Sequence, residues 1–156
     1  MNASLTNYCS FFGHREICNI PETSLRVEEL VTNLIVNKGV SVFYFGGLGE
    51  FDNLCYNVVN KLKSSYSIIK TAFCYTSDKD LARLKRQHVL SGKQYDSYAY
   101  FPLKNNYWYY KILFRNYEII NASDYVVFYV DTSKTGGALS AYKYAIKTKK
   151  IIYNVK

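Results

Sequence analysis

The chain alternates between short apolar runs and longer stretches with helical periodicity, and that alternation predicts an α/β fold. Residues 7–12, NYCSFF, read as a first strand. Pro21 precedes a helix over 23–38, where Val27, Leu30, Val31, Leu34 and Ile35 share one face and Asn37-Lys38-Gly39 supplies the stop. Val40 to Phe45 is a short apolar run of β-branched and aromatic residues, the mark of a buried strand. Gly46, Gly47 and Gly49 follow at once, and then Phe51, Leu54, Cys55, Val58, Val59 and Leu62 recur at helical spacing over 50–64. A third strand occupies 67–75. Residues 76–94 are polar and basic and fit a short, weakly periodic helix, and 95–110, YDSYAYFPLKNNYWYY, is crowded with aromatics. A helix over 107–122 puts Tyr109, Ile112, Leu113, Asn116, Ile119 and Ile120 on one face. A strand over 124–130, a turn through Gly136 and Gly137, a helix carrying Ala138, Ala141, Tyr142, Ala145 and Ile146, and a last strand, IIYNV, complete the chain.

Two strand–helix–strand passages in succession imply right-handed crossovers and a mostly parallel sheet with helices on both faces. The loops after the first and second strands then share one edge, the carboxyl edge where open α/β sheets take their ligands. At 156 residues, with no linker, repeat or low-complexity segment, the chain reads as one domain over 1–156.

The candidate chemistry gathers at that edge. The glycine turn lets backbone come close to a ligand, and the helix start behind it offers unpaired N–H groups and a positive dipole end to a phosphate. A second glycine pair, Gly136-Gly137, stands between a strand and a helix start, with Thr135, Ser133 and Lys134 beside it. Gly13-His14-Arg15 ends the first strand. Arg15 suits a bidentate phosphate pair, and His14 a phosphate or ribose oxygen. Arg15 paired with a surface acid and His14 capping its own loop is the plainer alternative. Arg115 and Asn116 adjoin on the long late helix, and Asn116 is the polar exception on its apolar face.

Composition adjusts this picture only slightly. The formal charge of +8 fits an anionic partner, but abundant Lys, Asn, Ile and Tyr also follow from an AT-rich coding sequence. No run approaches a membrane span, and the start lacks a secretory pattern. Cys9, Cys18, Cys55 and Cys74 form no CxxC pair, which argues against zinc or a disulfide framework and for a reducing, cytoplasmic setting. No metal or cofactor is expected. The aromatic stretch 95–110 reads either as a core and lid, as a wall over a purine, as a single-strand stacking platform, or as a self-association surface.

Three landmarks stand in order: FFGHR at 11–15, FGGLGEFD at 45–52, and RNYEIINASDYVVFYVDTSKTGGALSAYKYA at 115–145. Together they resemble the SLOG superfamily, the Rossmann-like group joining the DprA/Smf and Lonely Guy (LOG) proteins, and within it the YpsA-type branch. The resemblance spans nearly the whole chain apart from 76–110. It implies a Rossmann-like fold and a nucleotide-type ligand. Gly13, His14 and Arg15 would line one side, Gly46, Gly47, Gly49 and Asp52 the floor, and Thr135, Gly136 and Gly137 the phosphate loop, with Arg115 and Asn116 closing the site. Asp52 suits a ribose hydroxyl or a loop brace better than a phosphate.

The chain departs from the catalytic LOG pattern PGGxGTxxE. Asn53 stands at the glutamate position and Glu50 at the threonine. An amide cannot do a carboxylate's general acid or base work. The leading expectation is therefore a binding domain for a nucleotide-derived signal, ADP-ribose-like or cyclic, acting as a sensor or as a sequestering protein of phage or host in a bacterial conflict system. The alternatives are a LOG-like phosphoribohydrolase using Glu50 or Asp52, and a single-stranded nucleic-acid binder. Self-association is compatible with each, and no membrane role is expected.

Overall fold

In the computed structural model, which describes residues 5–104 and 110–156, six strands pair in parallel: β1 (Asn7–Gly13), β2 (Val40–Phe45), β3 (Lys70–Tyr75), β4 (Ser97–Tyr100), β5 (Tyr125–Tyr129) and β6 (Ile151–Asn154). Their order across the sheet is β4-β3-β2-β1-β5-β6. The chain thus winds one way from β1 to β4, then crosses back to place β5 on the other side of β1. That reversal makes the gap beyond β1 and β5 a topological switch point, where doubly wound sheets hold ligands. The fold is a single-domain, Rossmann-like α/β sheet.

The connecting helices are α1 (Ile20–Lys38), α2 (Gly49–Leu62), α3 (Asp78–Ser91), α4 (Lys111–Asn121) and α5 (Gly137–Lys147). Right-handed crossovers put α1, α2 and α3 on one face and α4 and α5 on the other. Two cores follow. Val27, Val31 and Leu34 of α1 and Phe51, Cys55 and Val59 of α2 pack on Phe11, Phe43 and Phe45. Ala141 and Ala145 of α5 and Ile120 of α4 pack on Val126 and Phe128. Small alanines let α5 lie close to the sheet. Cys9, Cys55 and Cys74 are buried as small hydrophobes, and burial pushes the Cys55 thiol well up.

Several expectations are corrected. α1 begins at Ile20, with Pro21 inside its first turn, where a missing N–H costs nothing, and Asn19 accepts from the Glu22 N–H as its cap. β3 begins at Lys70 rather than 67, because the Tyr66 and Ile69 backbones close a turn instead. The polar stretch 76–94 holds a full helix, α3, which buries only Leu84 and His88 and so carries little periodic signal. The aromatic stretch contains a sixth strand. Asp96 anchors it by accepting from the Thr71 N–H at 2.8 Å and pairing with Lys63 at 2.7 Å. β4 is the sheet edge farthest from β6, so residues 95–104 do not wall the switch point. The proposed helix start at Tyr107, and Tyr109 on its face, lie outside the described residues; the described helix begins at Lys111.

Among the described residues, no helix is long and apolar enough to cross a membrane.

Candidate functional site

A cavity of about 350 Å³ opens beyond the carboxyl end of β1, between the turn after β2 and the start of α5, at the switch point. That lies at the lower end of the roughly 300–1,000 Å³ typical of small-molecule sites. Of the sequence-predicted residues, Gly13, His14, Arg15, Gly46, Asp52, Arg115, Asn116, Thr135, Gly136 and Gly137 line it. Gly47 and Gly49 do not. Four segments far apart in sequence converge here because parallel winding delivers every strand end and helix start to one edge.

The first segment ends β1. The His14 N–H donates to the Tyr129 carbonyl at 3.2 Å, and His14 Nε2 accepts from the Asp131 N–H at 2.8 Å. In the neutral ring this leaves Nδ1 as the proton-bearing nitrogen. His14 therefore ties β1 to the β5–α5 loop. Arg15 is exposed at the cavity rim and makes no ion pair among the described residues. The alternative reading, Arg15 paired with a surface acid, is not what the structure shows. A Cβ on Gly13 would come within 2.6 Å of the Phe51 ring, so this glycine serves the packing of α2 against β1.

The second segment is the glycine turn. Gly47 adopts φ +78° and Gly49 φ +88°, both left-handed. Gly47 lies against the Phe73 and His88 rings and Gly49 against the Arg15 backbone, so both shape the turn rather than face the cavity. At Gly46 a Cβ would come within 2.6 Å of Arg115 Nη2. Glycine there lets the guanidinium reach across from the opposite face of the sheet.

Asp52, in the first turn of α2, braces this turn: its Oδ1 accepts from the Gly46 N–H at 3.1 Å. Its Oδ2 is buried with no partner. Burial raises the carboxyl's pKa; Lys93, the Gly47 and Gly46 amides and Arg115 oppose this without cancelling it. For an acid raised in the folded state, the cost is absent while both states are protonated and grows as pH climbs past the ordinary carboxylate value of about 4. Asp52→Asn keeps an oxygen for the Gly46 N–H and cannot ionise. It is expected to be more stable than the wild type at pH 7 and to converge with it near pH 4 in thermal melts. A variant less stable at pH 7 would show that the charge itself is needed beside Arg115.

Glu50 has a different task. Its Oε2 accepts from the Ile17 N–H at 2.7 Å, and its own N–H donates to the Arg15 carbonyl at 2.9 Å. It pins the loop after β1 and does not line the cavity.

The third segment is α4. Arg115, only 9 % exposed, donates from Nη1 to the Gly46 carbonyl at 3.1 Å and from Nη2 to Asn116 Oδ1 at 3.4 Å. Nε is buried without a partner. No carboxylate lies within ion-pair distance among the described residues, and none of the remaining residues is acidic. Burial lowers its pKa, with Cys74, Asp52 and Asp80 opposing. A buried guanidinium without a counter-charge favours an arriving anion. The sequence pattern had marked Asn116 as the polar residue on the buried face; it is the half-buried neighbour, and Arg115 is the buried one.

The fourth segment is the start of α5. Helices α1 and α3 are capped by Asn19 and Ser77, whereas α2, α4 and α5 have no side-chain cap, and α5 opens on Gly136. The Gly137 and Ala138 N–H groups have no acceptor among the described residues. Gly136, at φ +132° and ψ −172°, occupies backbone space reserved to glycine. Neither Gly136 nor Gly137 has any atom within 4 Å of where a Cβ would be. Internal packing thus explains Gly13, Gly46, Gly47 and Gly49, whereas nothing inside the protein requires Gly137.

Sequence reasoning missed the apolar rim. Leu48 and Ile112 line the cavity while 47 % and 50 % exposed. Ile112 lies three residues before Arg115, one helical turn away. That spacing placed it beside the site, but its apolar character read as core.

No protein-family model matches the chain, and no curated protein matches it in sequence. Among the described residues, no three His, Cys, Asp or Glu side chains are grouped to hold a metal ion.

Proposed function

We propose that this protein binds a nucleotide-derived small molecule at the switch-point cavity, in the manner of a SLOG domain of the YpsA type. The observation that carries the reading is the uncapped start of α5, which shares one cavity with two guanidiniums, Arg15 and Arg115, that have no carboxylate partner. Free N–H groups, a helix dipole and cations suit a phosphate. The apolar rim suits a sugar or base, and Asp52 among the lining residues suits a ribose hydroxyl. A sensor or a sequestering protein for a conflict-system signal needs no more than such a site.

Gly137→Asp tests the reading. Aspartate in the first turn of a helix stabilises it by about 0.3–1 kcal/mol, so the fold survives. The same carboxylate repels a phosphate. The variant is expected to melt at or above the wild-type temperature and to lose nucleotide binding in calorimetry. Wild-type protein that binds no member of a nucleotide panel at about 1 mM would overturn the proposal.

One observation favours a second reading. Asp52 lines the cavity, burial raises the pKa of its carboxyl, and one of its oxygens is buried without a partner. A shift in that direction suits a general acid, which phosphoribohydrolase chemistry needs at the leaving base. Release of free base from AMP, lost in Asp52→Asn, would establish hydrolysis. Glu50 is a poor candidate for this work, since the Ile17 amide occupies its carboxylate.

A further inference from the structure

A second cavity, of about 280 Å³, adjoins the first on the far side of Arg115. The two share Gly46, Leu48, Ile112 and Arg115 as a common wall. The remainder of the second comes from the end of β3 and from α3, together with Lys111 at the start of α4.

Its chemistry is not that of a packing defect, since a void left by imperfect packing is apolar. Asp80 accepts from the Thr76 hydroxyl at 2.9 Å and pairs with Lys111, with Arg83 at 3.8 Å. Two cations thus face one carboxylate, and the exposed Gln87 amide adds a donor and an acceptor. Positive charge in excess, an acceptor carboxylate and an amide are the groups that hold a sugar bearing a phosphate. Arg115, whose Nε is buried without a partner, lies in the shared wall, and the exposed Leu48 and Ile112 side chains flank both cavities. An ordinary mononucleotide would engage the α5 start and leave all of this unused.

Resting on the nucleotide-binding reading above, we propose that the two cavities form one bipartite site for a two-headed nucleotide, a pyrophosphate joining a nucleoside to a second ribosyl group. The first head and its phosphate lie between Arg15, Asp52 and the α5 start. The pyrophosphate passes Arg115, and the second sugar enters the cavity bounded by Asp80, Arg83, Gln87 and Lys111.

Calorimetry with AMP and with ADP-ribose tests this, on the wild type, Lys111→Ala and Gln87→Phe. The phenylalanine fills the second cavity from an exposed helix position and spares the Asp80 pair. The wild type is expected to bind ADP-ribose about tenfold or more tighter than AMP, a difference of roughly 1.4 kcal/mol. Each variant should erase that advantage and leave AMP affinity unchanged. Equal affinity for the two probes in the wild type, or a preference that survives both variants, would overturn the bipartite site while leaving the nucleotide-binding reading intact. Binding of neither probe would overturn both.

Discussion

Arg115→Met is expected to weaken nucleotide binding by ~100-fold or more, the usual consequence of removing one partner of a desolvated charged hydrogen bond. The same substitution should leave the melting temperature of the free protein nearly unchanged. Methionine matches the length of the arginine stem, and the site would no longer bury a charge that lacks a counter-ion. That gain offsets the lost hydrogen bond to the Gly46 carbonyl, which contributes on the order of 1 kcal/mol. Stability and binding therefore part company, and measuring both on one sample separates the two roles of this residue. A variant that unfolds would mark Arg115 as a structural pin joining α4 to the end of β2. A variant that binds normally would remove the central cation from the site.

Gly47→Ala is expected to cost roughly 3 kcal/mol of folding stability in urea titrations. Two effects combine: a left-handed φ of +78° and a Cβ within 2.6 Å of Phe73 Cε2 and 3.2 Å of His88 Cε1. The rings cannot give way. Phe73, His88 and Tyr95 pack on one another with centroids 4.5–5.1 Å apart, and all three are buried. Gly92→Ala is the control, since Gly92 has φ +75° and open space around it. It should cost only about 1 kcal/mol, the backbone part alone. Equal losses at the two positions would show that packing against Phe73 contributes nothing.

The contrast between these glycines bears on how far a sequence can be read. FGGLGEFD marks a strand, a tight turn and a helix start, and the structure has them at β2 and α2. The residues look alike in the sequence, yet Gly47 and Gly49 turn the backbone, Gly46 admits Arg115, and Gly137 opens onto empty space. Glycine is permitted wherever a side chain would collide, and the sequence does not say with what. The same limit hid β4 and left α3 legible only as a short, weakly periodic helix. Each sits near the sheet edge, buries few side chains, and so lacks the periodic signal that a doubly covered element prints.

The parallel α/β architecture was determined by the sequence alone, because alternation of buried strands with amphipathic helices admits few other solutions. The sequence also put glycines, His14, Arg15 and Asp52 at strand ends and helix starts, without telling which of them face a cavity. Only the tertiary structure decided their roles. Burial made Arg115 rather than Asn116 the inward group, and an amide 33 residues away in sequence from Glu50 occupied that carboxylate. The return of the chain across the sheet brought the α5 start and the end of β1 to one cavity. These outcomes depend on which long-range neighbours meet, and pairings across a sheet leave no local periodicity to read.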